Sequence, residues 1–278
     1  MTLPLVPPLI DPARLQTLLG GISGRFDVDA LIDCDSTSSL LLDRASQGAP
    51  AGSVIVADRQ SGGRGRRGRR WVSSPESGLT FSLLWRFDAG IDRLAGLSLA
   101  VGVAVARALE TCGATGIALK WPNDILHVDQ GRHAKLGGIL VELQSEQRSM
   151  LAVIGIGLNL QLPPASAPGC DSASAFAHPA AALAQALSPL PDRHELLAQV
   201  LIELAAVLDR FSTGGFAALR AEWLARNAWQ DRAVRLLRDG VLEKEGICRG
   251  ADADGALLIE TAAGLERCLS GDLSLRAA

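Results

Sequence analysis

The chain has 278 residues, of which 48% are apolar and 21% charged, and its formal net charge is −3. That balance excludes disordered and fibrous architectures, and the acidic total argues against a protein that coats nucleic acid through overall charge. The five cysteines (Cys34, Cys112, Cys170, Cys248, Cys268) are scattered with no C-x-x-C pair, which argues against a disulfide framework or a zinc site, and no metal site is assigned. Residues 1–27 read as an irregular lead-in broken by Pro4, Pro7 and Pro8, with a short helix at Pro12–Leu19 and no basic start of a signal peptide. Val28–Ile32 reads as a strand, Ser36–Ser39 as the cap of a helix carrying Leu40, Leu41 and Leu42, and Ser53–Ala57 as a buried strand. A Gly/Arg loop follows at 61–70, then a strand at Leu79–Phe87 and an Ala/Val-rich helix at Leu94–Glu110. The apolar run Leu94–Ala106, flanked by Arg93 and Arg107, falls short of the ~20 residues of a membrane span, so a cytoplasmic protein with no membrane partner is expected.

Ile117–Leu119, Lys135–Leu143 and Met150–Leu160 read as strands, and residues 161–178 as a long Pro/Ala/Ser loop. Pro191–Phe211 and Gly215–Arg226 have the spacing of amphipathic helices. After Trp229 the pattern changes to short strands at Ala233–Leu237, Gly246–Gly250, Ala256–Glu260 and Arg267–Leu269. Their turns fall at Asp239-Gly240, Asp254-Gly255 and Ala263-Gly264. Two domains are expected, residues 1–228 and a small all-β domain at 229–278.

Arg64, Arg66, Arg67, Arg69 and Arg70 crowd one loop of an acidic chain. Gly63-Arg64-Gly65-Arg66-Arg67-Gly68 spells G-x-G-x-x-G after a strand, but Arg69-Arg70-Trp71-Val72-Ser73-Ser74-Pro75 opens no helix to receive a pyrophosphate. A nucleic-acid arm is a second reading, unsupported by any wider basic footprint. A mobile loop that closes over a small anionic ligand is the third. Guanidinium groups stay charged and grip phosphate or carboxylate through paired hydrogen bonds.

Lysine is scarce: only Lys120, Lys135 and Lys244 occur. Lys120 opens Lys120-Trp121-Pro122-Asn123-Asp124, whose proline presents Asn123 and Asp124 on a turn. Lys135 precedes Gly137-Gly138 inside a strand, and Gly155-Ile156-Gly157-Leu158-Asn159 repeats that feature on the next. Glycines inside strands mark the close approach of a ligand or another backbone, and two such strands side by side would leave a slot for a flat apolar ligand. His127 and His133 have the spacing of neither a helix pair nor a zinc site and read as surface residues.

Taken in order, Ser36-Thr37-Ser38-Ser39, Gln60 with Gly63–Trp71, Lys120–Asp124, Lys135–Glu142, Gly155–Asn159 and, more faintly, Gly271–Arg276 resemble the biotin protein ligases. The resemblance implies an α+β fold: a mixed β-sheet catalytic domain with helices packed on one side, plus a small C-terminal SH3-like β-barrel. It implies that ATP and Mg2+ convert biotin to biotinyl-5′-AMP, and that the acyl group passes to a lysine of a biotin carboxyl carrier protein. Ser36, Thr37, Ser38 and Gln60 match biotin-binding positions, with Gly137 and Gly138 on the adjoining strand. Arg64, Gly65 and Arg66 match the loop that orders over biotin and the adenylate. Lys135 matches a lysine that contacts the biotin carboxyl and the phosphate, and Arg64 with Lys135 is expected to act catalytically by offsetting the repulsion of those two anions. Arg67, Arg69, Trp71, Asn123 and Asn159 fall on the nucleotide side, and Asp124, with Lys120 nearby, matches an aspartate proposed to help the acceptor lysine attack.

Some members of that family carry an N-terminal winged-helix DNA-binding domain. The segment before Ser36 is too short for that module, so no nucleic-acid partner is expected. Lipoate- and octanoate-transferring ligases share the implied fold, and Arg59-Gln60-Ser61-Gly62-Gly63 faintly resembles their motif, but they lack the dense arginine loop and Lys-Trp-Pro-Asn-Asp. Oligomeric state stays open at this stage, a homodimer being one option.

Overall fold

The computed structural model describes residues 7–72, 74, 75, 77–146, 149–162, 179–271 and 273–277. The expected long loop falls almost entirely outside these residues. Helix α1 (Pro12–Leu19) starts where Asp11 accepts from the Ala13 amide at 2.9 Å and Pro12 supplies a helix-compatible φ. Strand β1 (Asp27–Cys34) leads into α2 (Thr37–Ser46), capped by the Ser36 hydroxyl. Strands β2 (Ser53–Gln60) and β3 (Gly78–Phe87) flank the arginine loop, and α3 (Leu97–Thr111) follows. Strands β4 (Ile117–Lys120), β5 (Asp124–Asp129), β6 (Arg132–Ser145) and β7 (Met150–Asn159) complete a seven-stranded mixed sheet in the order β1-β2-β3-β7-β6-β5-β4. Only the β1–β2 pair is parallel.

After the one-turn α4 (Leu183–Ala186), α5 (Arg193–Gly214) packs on α3, and both lie with α1 over one face of the sheet. By length and apolarity Ile91–Thr111 would also suit a bilayer, but here α3 is buried against α5, β4 and β6. The opposite face carries α2, whose Leu41 and Ala45 join Ile55, Leu84, Leu151 and Val153 in a small second core. Beyond α2 that face is open, and the cleft lies there.

The expected helix at Gly215–Arg226 is shorter. Gly215 ends α5 at φ +60°, a conformation open to glycine, and the chain restarts as a 3-10 turn (Phe216–Ala218) and the short α6 (Arg220–Ala225). A five-stranded antiparallel sheet follows: β8 (Ala233–Arg238), β9 (Val241–Ala251), β10 (Leu257–Thr261), β11 (Gly264–Cys268) and β12 (Leu273–Ala277), in the order β11-β10-β9-β8-β12. Asp239 and Gly240 both take positive φ (50° and 83°), as a two-residue hairpin turn requires. Strand β12 has no counterpart among the expected strands. It is short and follows Gly271-Asp272; Leu273 and Leu275 are its buried face, and it is held by pairing with β8.

The two sheets are joined by directed contacts. The buried Trp121 indole donates to the Gly255 carbonyl at 3.1 Å, and Arg220 donates to the Ala251 carbonyl at 2.6 Å. The Leu119 amide donates to Arg226 and the Ala228 amide to Leu119, which adds the chain entering the second sheet to the edge of β4.

Candidate active site

Strand register assembles the cleft. Lys120 pairs with Asp124, Asp124 with Gly138, Gly138 with Gly157, Gly157 with Thr80 and Thr80 with Ala57. One continuous row of cross-strand partners therefore runs from a lysine–carboxylate pair, over two side-chain-free positions, to a threonine. Directly opposite partners share a face, so these groups stand along a single floor. The next row is Leu140, Gly155 and Ser82.

At one end α2 lowers its N-terminus onto this floor. Thr37 Oγ1 and Ser38 Oγ lie 2.8 and 2.9 Å from Ser82 Oγ, and Gln60 Oε1 accepts from the Thr37 amide and hydroxyl at 2.8 and 3.1 Å. Ser36, Thr37, Ser38, Gln60, Thr80 and Ser82 are all buried, which makes this a dry polar pocket suited to a neutral polar head group. Ser82 and Thr80 were not among the residues expected here. Their signal was present, as polar positions alternating with apolar ones in the strand Leu79–Phe87.

The other end is cationic. Asp124 accepts from Lys135 Nζ at 2.6 Å and from Lys120 Nζ at 3.4 Å. Burial alone would raise the Asp124 carboxyl, but the two ammonium groups outweigh it and hold it below the usual carboxylate range. Burial pushes Lys120 down to about 8 against the pull of Asp124. Arg276, from β12, faces the same space. It too is lowered by burial, with Arg69 adding like charge, and its Nη1 is buried without a hydrogen-bond partner. A desolvated, unpartnered guanidinium nitrogen beside a cationic cleft is set for an anion.

The arginine loop roofs the cleft as a small hairpin: Arg64 bridges Arg70, Gly65 N donates to Arg69 O at 2.7 Å, and Trp71 N donates to Gly63 O at 2.8 Å. Arg66 reaches Asn123 Oδ1 at 3.4 Å and the Ser270 and Gly271 carbonyls at 3.3 and 2.8 Å. Arg67, in a left-handed conformation (φ 61°), pairs with Asp239 in the β8–β9 turn, and Arg64 makes a two-pronged pair with Glu142. The Trp71 indole lies over Gly157 and donates to Thr80 Oγ1 at 3.3 Å.

The expected site residues thus sort by position. Ser36, Thr37, Ser38, Gln60, Arg64, Gly65, Arg66, Arg67, Arg69, Trp71, Lys120, Asn123, Asp124, Lys135 and Gly138 line the cleft. Gly137 faces the core, where a Cβ would fall 2.7 Å from Leu158 Cδ2 and from the Gly157 carbonyl, so it permits strand packing. Asn159 does not line the cleft; its amide donates to the Lys135 and Ala181 carbonyls at 3.3 and 3.0 Å, which holds the backbone that carries Lys135. His133, expected at the surface, is half-buried and stacks on Trp229 with ring centroids 4.5 Å apart.

Two family models match the chain: the biotin/lipoate A/B protein ligase family over residues 31–159, and the biotin protein ligase C-terminal domain over residues 231–276. The chain is 35% identical over 274 residues to the bifunctional ligase/repressor BirA of Escherichia coli (strain K12), covering 98% of this chain and 81% of that protein. It is 34% identical over 233 residues to the biotin–[acetyl-CoA-carboxylase] ligase of Paracoccus denitrificans, covering 83% of this chain and 92% of the relative. Among solved structures, the biotin protein ligase of Aquifex aeolicus in complex with biotin and ATP superposes with a TM-score of 0.72 at 30% identity, covering 91% of this chain and 99% of that one. Register, cleft chemistry and relatives agree: the chain belongs to the biotin protein ligase family of enzymes.

Proposed function

We propose that this cleft joins biotin and ATP into biotinyl-5′-AMP and pyrophosphate, then passes the biotinyl group to a lysine of a biotin carboxyl carrier protein. The observation that carries the reading is one floor with a neutral polar pocket at one end, a cationic cluster at the other and two glycines between. In this reading the biotin head group takes the hydrogen bonds of Thr37, Ser38, Gln60 and Ser82, and the apolar tail runs past Gly155 along the edge of the Trp71 ring that covers Gly157. The carboxylate then reaches Lys135, where it meets the α-phosphate.

Two anions must meet for the carboxylate oxygen to attack phosphorus and expel pyrophosphate. Lys135, Arg66, Arg69 and Arg276 offset their repulsion and stabilise the charge that builds on the five-coordinate phosphorus. Holding both reactants on one floor removes most of the entropic cost of their encounter. In the second step the neutral amine of the carrier lysine attacks the acyl carbon and AMP leaves. Asp124 is positioned to orient that amine and take its proton, with Lys120 beside it.

Among the described residues no cluster of three or more His, Cys, Asp or Glu is present, and Asp124, the carboxylate in the cleft lining, is already shared by two ammonium groups. That donor set does not fit a resident metal ion, so Mg2+ enters only as the counter-ion of ATP, on phosphate and water oxygens. A nucleic-acid arm is disfavoured because Arg64, Arg66, Arg67 and Arg70 are already engaged by Glu142, main-chain carbonyls and Asp239. We read the protein as a cytoplasmic enzyme of two domains, residues 1–228 and 229–278, the second contributing Arg276 to the first.

The test is acyl-adenylate formation from α-labelled ATP and Mg2+ with biotin, lipoate, octanoate or no acid. Label with biotin alone is expected. Label with lipoate or octanoate instead would move the chain to the sister ligases.

A further inference from the structure

Glu142 stands on β6 two residues beyond Leu140, on the face that carries the cleft. Its carboxylate receives both terminal nitrogens of Arg64, Nη1 to Oε1 at 2.9 Å and Nη2 to Oε2, with the two side chains 26% and 38% exposed. Arg64 begins the first arm of the arginine hairpin. Gly63, just before it, accepts from the Trp71 amide on the second arm, and the Trp71 indole covers Gly157. A chain of contacts therefore runs from a rim carboxylate, through one guanidinium and one backbone hydrogen bond, to the ring over the middle of the floor. The fork of Arg64 defines an orientation as well as a distance, because two parallel hydrogen bonds resist rotation.

We propose that Glu142 is a positioning residue that seats the arginine hairpin, and with it Trp71, as the roof of the cleft, and so retains the acyl-adenylate between the two half-reactions. The inference rests on the function proposed above for what it retains, but not for the seating itself. Glu142 touches no reactant in this role; it acts through Arg64. A mixed anhydride of acid and phosphate hydrolyses readily, so a roof that stays closed until the carrier arrives protects the activated acid from water.

The experiment compares the whole chain with Glu142→Gln, and with Glu146→Gln as control, since Glu146 makes an ion pair with Arg86 just beyond the far end of the same strand. Without ligand, trypsin cleavage between Arg64 and Arg70 is followed by mass spectrometry. Glu142→Gln is expected to be cut about three- to tenfold faster, and Glu146→Gln no faster than wild type. With labelled adenylate formed on the enzyme and no carrier, its escape into solution should accelerate by a similar factor. In an Arg64→Gln background, Glu142→Gln should add nothing to either rate, because its partner is gone. Equal cleavage in wild type and Glu142→Gln would overturn the proposal, as would an undiminished effect in the Arg64→Gln background. If the wild type forms no adenylate, the function reading fails, while the trypsin comparison still decides the seating.

Discussion

The indole of Trp71 lies across Gly157 so closely that a Cβ at 157 would fall 2.3 Å from Cε2 and 2.4 Å from Cζ2 of the ring. Gly138, the cross-strand partner of Gly157, extends the same bare floor. The absence of side chains at these two positions is what lets a flat ring descend onto the sheet.

Gly157→Ala should therefore lift the ring and loosen the roof. Overpacking at such a contact costs about 1–3 kcal/mol, which corresponds to biotin binding weakened by roughly fivefold or more. Titration calorimetry with biotin checks this, and affinity equal to wild type would show that the ring and the ligand do not share the floor.

Arg276 supplies a buried guanidinium nitrogen with no partner of its own. Arg276→Gln should raise the KM for ATP by about tenfold or more, since a charge-assisted hydrogen bond contributes about 1.5–3 kcal/mol, and should change the KM for biotin little. Steady-state pyrophosphate release with each substrate varied in turn separates the two constants. A larger effect on biotin would place Arg276 on the wrong half of the cleft.

Lys120 loses its proton near pH 8, well below an ordinary lysine. As it becomes neutral, Asp124 keeps one ammonium partner rather than two and becomes the better proton acceptor. Transfer to the carrier should accordingly rise with pH through about 8, and this inflection should vanish in Lys120→Arg, whose guanidinium stays charged. Single-turnover transfer from preformed adenylate, measured from pH 6.5 to 9.5, tests it. For stability the sign is separate: between about 8 and the ordinary lysine value the unfolded chain binds the extra proton, so this group makes the fold more stable as pH rises.

Asp124→Asn removes the negative charge between two ammonium groups. Breaking a buried pair in this way costs about 3–5 kcal/mol, and transfer should fall more than adenylate formation does. Because the fold holds Asp124 below the usual carboxylate range, its contribution is present above that range and is lost as pH falls through the depressed value. Urea unfolding at pH 7 and pH 3 should show a smaller wild-type advantage at the lower pH.

Much of this was readable from local chemistry. Asp11-Pro12 and Ser36 announce helix starts, Asp239-Gly240 a hairpin, and alternation along Leu79–Phe87 a strand, because each depends on residues within a few positions. Motif order named the family and gathered most of the cleft lining. Register, by contrast, is a relation between distant segments. It put Gly138 and Asp124 on the cleft floor and turned Gly137 toward the core, a one-residue difference no local pattern expresses. Asn159 was expected on the nucleotide side of the cleft, whereas the fold uses its amide to hold the Lys135 backbone. Ser82 gained its role only when α2 came down beside it, and β12 formed only where β8 offered an edge, which brought Arg276 to a cleft built from residues more than a hundred positions earlier. The sequence alone determined most of the elements and the family, since these follow from short-range propensity and ordered motifs. Tertiary structure decided which of those residues face one another, because hydrogen bonds between strands and the burial of one face choose among registers that local chemistry leaves equal.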